Sequence, residues 1–237
     1  MTDPVEPATT LAVPRDDGAM DMSVWRPESG SGPGIVLVQE IFGVGEWIRA
    51  AATELAQAGY VVGAPDLYWR IQPGFAVAHD DAGLGAAYEM VGQLDLPGAV
   101  GDTVAALDVL GAHDAVTGPV AVLGYCLGGT IAWLAAVEGE PAACVSYYGS
   151  GVSDAAERVD DITCPTLLHF GGADPFISSE QVATVAAAVE TVEHIELQVH
   201  AGAGHAFEND RAAQFHDPDA TVVSRAQTLE FLRTHLA

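Results

Sequence analysis

Apolar positions in this chain gather into short continuous runs, separated by longer stretches with helical spacing. Ile35 to Val38 is continuous, rich in β-branched residues and bounded by Gly34 and Gln39, the pattern of a strand buried on both faces. Met20 to Trp25 predicts an earlier strand and Ser29 to Gly34 a turn-rich loop. Trp47 to Gln57 has helical spacing and ends near Gly59, a C-cap signal. Further strands are predicted over Tyr60 to Val62, Val120 to Leu123, Ala143 to Tyr148, Thr166 to Phe170 and Ile195 to Val199. Helices are predicted over Pro97 to Leu110, from near Thr130, over Ser179 to Val189 and over Thr221 to Leu236. Apolar strands alternating with helices predict an α/β fold, a mostly parallel sheet with helices on both faces. No repeat or linker breaks the pattern, so a single domain over residues 1–237 is expected, with about residues 1–18 a polar lead-in.

Composition narrows the function classes. Of 237 residues, 33 are acidic and 8 basic, for a formal charge of −25, and all the basic ones are arginine. Such a field repels nucleic-acid backbones and anionic bilayers, so neither is an expected partner. The acidic start, Met1 to Glu6, lacks the basic and apolar regions of a signal peptide, and no apolar run is long enough to span a bilayer. Three cysteines, Cys126, Cys144 and Cys164, cannot all pair with one another, which suits free thiols in a cytoplasmic protein, monomeric or a small homo-oligomer.

In a sheet of this kind chemistry gathers at the carboxyl ends of the strands. Gly124-Tyr-Cys126-Leu-Gly128-Gly129 follows the strand at Val120 to Leu123 and has the form G-x-nucleophile-x-G, with Cys where Ser is more usual. A thiol on that sharp turn sits over a helix N-terminus, and the N–H of Leu127 faces an oxyanion formed on attack. Taken alone, Cys126 reads as a small buried hydrophobe, Asp174 before Pro175 as a turn residue and His205 as a surface loop residue. Together they stand after successive strands in the order nucleophile, Asp, His, which is the order of the α/β-hydrolases. The loop Gln39 to Gly43 follows the strand expected beside the nucleophile strand, so the N–H of Ile41 is the expected second oxyanion donor. Glu40 is by default a solvated charge at a strand end, but beside Cys126 it would disfavour the thiolate that the helix terminus favours. No metal-ligand spacing, GxGxxG or Walker pattern is present, and neither a metal nor a cofactor is expected.

Gln39-Glu-Ile-Phe-Gly43, Ala64-Pro-Asp-Leu-Tyr68, Gly124 to Gly129, Gly171 to Asp174 and Gly204 to Phe207 together resemble the dienelactone hydrolase (carboxymethylenebutenolidase) family of the α/β-hydrolases, from about Met20 to the terminal helix. The resemblance implies that Cys126 is the nucleophile, His205 its base and Asp174 the orienting acid. Glu40 would then be the family glutamate that keeps the resting thiol protonated and accepts its proton when substrate displaces it. It also implies hydrolysis of a small-molecule ester or lactone through a thioester, with pocket contacts expected from Phe42, Tyr88, Phe207 and Arg211. Family members acting on dienelactone grip its carboxylate with two arginines, and an ungapped count places those positions at Leu84 and Asn209. The resemblance thus carries the hydrolytic machinery and not the grip on an acid. A general hydrolase of neutral small esters or thioesters is the alternative, and a thiol sensor on a hydrolase scaffold is the rival from another class.

Overall fold

A computed structural model of the protein describes residues 4–237. Among them eight strands form one sheet in the order β1-β2-β4-β3-β5-β6-β7-β8. The strands are β1 (Thr9–Arg15), β2 (Gly18–Trp25), β3 (Gly32–Val38), β4 (Val61–Pro65), β5 (Val116–Tyr125), β6 (Cys144–Tyr147), β7 (Thr166–Gly171) and β8 (Ile195–His200). From β4 to β8 all neighbours are parallel, while β1 and β2 form an antiparallel hairpin that docks antiparallel on β4. This is the α/β-hydrolase arrangement, and helices cover the sheet.

The elements follow from the pattern. Ile35 to Val38 in β3 are fully buried, as a strand covered on both faces requires. The helices are α1 (Glu46–Gln57), α2 (Asp81–Val91), α3 (Leu96–Gly111), α4 (Leu127–Glu138), α5 (Ser179–Val189) and α6 (Pro218–Leu236), with a 3-10 segment at Ser153–Asp161. A capping box between Ser178 and Gln181 starts α5, and Asp217 caps α6 ahead of Pro218. Alternate residues of β5, Leu123 and Tyr125, face α1 and α6 across a small cleft floored by Trp47. The Arg225 guanidinium lies 5.9 Å from the Trp47 ring and ties the two helices together.

Two expectations need correction. The stretch read as a polar lead-in contains β1, registered along its whole length on β2; its first three residues lie outside the described ones. β1 is an edge strand, half-exposed and carrying Pro14, so it lacks the apolar run of an internal strand. It is anchored by Asp102 of α3, a buried carboxylate that meets Arg15 at 2.8 Å and Arg70 at 2.5 Å and accepts a hydrogen bond from Trp69 Nε1 at 2.9 Å. The second correction is α2, which its small residues hid. Its N-cap, Asp80, accepts from the N–H of Gly83.

Candidate active site

The four loops singled out in the sequence meet at the carboxyl end of the sheet. β5 ends at Tyr125 and α4 begins at Leu127, leaving Cys126 between them at φ 56°, ψ −115°. A side chain held there costs about 1–3 kcal/mol, so its surroundings must enforce it. The Cys126 N–H donates to Tyr147 O (3.0 Å), and the Thr130 N–H donates to Cys126 O (3.2 Å). The flanking glycines permit the turn through close approach. A Cβ on Gly124 would lie 1.9 Å from Gly128 O, and one on Gly128 would lie 2.3 Å from Val38 O. Cys126 is left partly exposed, whereas Cys144 and Cys164 are buried.

His205 reaches Cys126 from the loop after β8. Its Nε2 lies 3.1 Å from Cys126 Sγ and its Nδ1 lies 2.8 Å from Asp174 Oδ2. The other oxygen of Asp174 accepts the N–H groups of Phe176 (2.8 Å) and Ile177 (3.2 Å), which fixes the carboxylate. Burial opposes a charge on His205, but its bonds to Asp174 and Cys126 outweigh that and raise its pKa above the ordinary imidazole value. The next residue, Ala206, has φ 55°, a tight backbone turn just after the histidine.

These groups open onto a cavity of about 260 Å³ lined also by Ile41, Leu127, Leu84, Tyr88 and Asn209. Leu127 is the first residue of α4, where an N–H has no partner within the helix. Among the described residues the Ile41 N–H has no acceptor either. The loop carrying Ile41 is braced by Tyr68, whose hydroxyl donates to Ile41 O (2.9 Å). Burial raises the Tyr68 phenol well above its ordinary range, so it stays a donor.

Glu40 lines the same cavity, but its bonded partner is His79, through Nε2. Asn209 Nδ2 lies 2.9 Å from that same nitrogen, and Asn209 Oδ1 accepts the N–H of Arg211. Sequence reasoning missed His79 because its partner stands 39 residues away in another loop; the only local cue is the helix cap that follows it. Phe176 and Phe215, also on the cavity wall, were likewise missed. Phe42 and Tyr88 line the cavity as expected, Tyr88 at its exposed rim.

Phe207 and Arg211 do not line it. Phe207 is fully buried against Tyr148 and His200, because Ala206 turns the chain inward. The Arg211 guanidinium is ion-paired with Glu46 (3.2 Å) and Asp210 (3.3 Å). No arginine lines the cavity among the described residues, and both positions counted for the carboxylate grip, Leu84 and Asn209, do line it. Among those residues no cluster of three His, Cys, Asp or Glu suits a metal, and no helix is long and apolar enough to cross a membrane.

Comparison with known proteins places the chain in a family. The family model described as the dienelactone hydrolase family matches residues 20–236. A carboxymethylenebutenolidase of Pseudomonas sp. (strain P51) is 36% identical over 208 residues, covering 87% of each chain. One from Pseudomonas putida is 31% identical over 210 residues, covering 88% of this chain and 89% of its own. Among solved structures, a provisionally named dienelactone hydrolase of Klebsiella pneumoniae superposes with a TM-score of 0.81 at 26% identity, covering 95% of this chain and 97% of that one.

Proposed function

The chain belongs to the dienelactone hydrolase family and is a hydrolase of ester or lactone bonds, and on that premise we propose that it cleaves small neutral substrates through a thioester on Cys126. The observation that carries the reading is the relay of Asp174, His205 and Cys126, joined at 2.8 Å and 3.1 Å through opposite nitrogens of one ring.

His205 takes the thiol proton, and the sulfur attacks the carbonyl carbon to form a C–S bond. The carbonyl electrons move onto oxygen, where the N–H groups of Ile41 and Leu127 receive the charge with the N-terminus of α4 behind them. Collapse of the tetrahedral species breaks the C–O bond, and the leaving alkoxide takes its proton from His205. Water gives a proton to the same histidine and attacks the thioester, the C–S bond breaks, and the sulfur recovers its proton. Asp174 stabilises the imidazolium at each transfer and keeps Nε2 directed at the sulfur.

Neutral substrates follow from the cavity wall. A substrate carboxylate buried without a cation carries a penalty of several kcal/mol, and no arginine lines the cavity among the described residues. Phe42, Leu84 and Tyr88 offer apolar and aromatic surface instead.

Two measurements test the reading. Mixing with an activated aryl ester should leave an acyl group on Cys126 detectable by mass spectrometry; turnover without it, or with undiminished rate in Cys126→Ala, rejects the nucleophile. For substrate charge, kcat/KM should favour the methyl ester of a carboxylated lactone over its free acid. A preference for the acid of about tenfold, ~1.4 kcal/mol in transition-state binding, would reject neutral selectivity.

A further inference from the structure

The relay at Cys126 leaves one polar cluster of the cavity without a task. The titratable groups on the wall are Glu40, His79, Tyr88, Cys126 and His205, and all but Tyr88 fall into two bonded pairs. The sulfur is bonded to His205, and Glu40 is bonded to His79; among the described residues no hydrogen bond joins Glu40 to Cys126.

The imidazole of His79 is fixed from several sides. The Phe42 ring lies 4.2 Å from it, centroid to centroid, and Asn209 Nδ2 sits 2.9 Å from Nε2. The Asn209 amide is turned that way because its Oδ1 accepts the Arg211 N–H at 2.9 Å, and Gln214 Nε2 donates to the His79 carbonyl at 3.3 Å. Two segments, residues 40–42 and 209–214, therefore converge on His79, whose side chain is only 9% exposed and is bonded to a carboxyl group 5% exposed. The direction of that carboxyl matters, since a carboxylate against a thiol disfavours the thiolate and one turned away does so less.

We propose that His79 is a positioning residue that holds the Glu40 carboxyl group off the Cys126 sulfur, leaving His205 as the sulfur's proton partner in the free enzyme. Its catalytic consequence rests on the reading of Cys126 as nucleophile. Glu40 is then a restrained suppressor of the thiol, and its restraint comes from this cavity's own histidine.

The test is the rate at which iodoacetamide labels Cys126 in the full-length protein, with Cys126→Ala as the blank. Freed in His79→Ala, the Glu40 carboxylate turns to the sulfur, and labelling slows about tenfold, the effect of one pKa unit. His79→Asn, too short to reach Glu40, carries the same expectation should the alanine variant not fold. His79→Gln retains an N–H donor of sufficient reach and stays within about threefold of wild type. Glu40→Gln alone labels within about twofold of wild type, and in that background His79→Ala has no more than about a twofold effect. The thiolate's ultraviolet absorbance should move in step with labelling. An equal slowing in both backgrounds, or no slowing on removal of His79, overturns the proposal. Ester turnover by Cys126→Ala bears on the nucleophile alone, so the two readings fail separately.

Discussion

His205, His79 and His169 each make two polar contacts through the ring, and how those contacts are shared between the ring nitrogens sets each residue apart. His205 gives Nδ1 to Asp174 and Nε2 to the sulfur, so a proton gained on one side is stabilised from the other. Glu40 and Asn209 both lie at the same nitrogen of His79, Nε2, which bears either a proton for the carboxylate or a lone pair for the amide and cannot serve both, so it relays nothing onward. His169 places Nδ1 against His200 at 3.1 Å and Nε2 against Thr228 at 3.1 Å, with no carboxylate among its partners. Burial, aided by His200, lowers its pKa to about 3. An imidazole beside a carboxylate is therefore not by itself the geometry of a general base, which also needs the far nitrogen to face an acid.

The two cavity histidines part most widely under deletion. Cys126→Ala should abolish measurable ester hydrolysis and His205→Ala should lower kcat by about 10⁴-fold or more, while both proteins keep their circular dichroism spectra. Loss of only a few-fold in His205→Ala would place it level with His79. Asp174→Asn should cost less than His205→Ala, because orientation is impaired while the proton acceptor survives; steady-state kinetics showing the reverse order would undo the assigned roles. The smallest effect lies outside the cavity. Between pH ~6.5 and about 3 an unfolded chain protonates the His169 side chain and the folded one does not, so stability contributed above that window is lost as pH falls through it. Denaturant titrations should give a shallower acid decline in His169→Gln than in wild type, and equal slopes would show that His169 protonates in the folded protein too.

Much of this was legible in the chain because strong local signals coincide with the elements that build the candidate site. The apolar runs around Val36 and Val122 could hardly be anything but buried strands, and the glycines around Cys126 announce a turn in which no Cβ fits. Asp174 and His205 were found by their order after strands, a property of topology that survives in one dimension. The failures share a cause as well. β1 satisfies its backbone on one side only and so needs no apolar run, and α2 is built from small residues with Gly83 and Gly85 inside it. The Glu40–His79 bond joins distant loops and leaves no periodic trace. Arg211 stands two residues beyond Asn209, yet Glu46 and Asp210 claim its guanidinium, a competition that sequence separation does not display.

The glycine frame of the elbow bears on how such a site can change over generations. Gly124 and Gly128 are fixed by backbone atoms about 2 Å from where a side chain would begin, so almost any replacement there is lost with the fold. Cys126 itself meets no such wall: its conformation is imposed by its neighbours, and a serine would occupy the same turn with one atom exchanged. The frame is therefore the constrained part of the elbow, and the side-chain atom at residue 126 the exchangeable one. On the proposed reading, a single substitution at Cys126 would exchange sulfur for oxygen chemistry while leaving the turn itself unchanged.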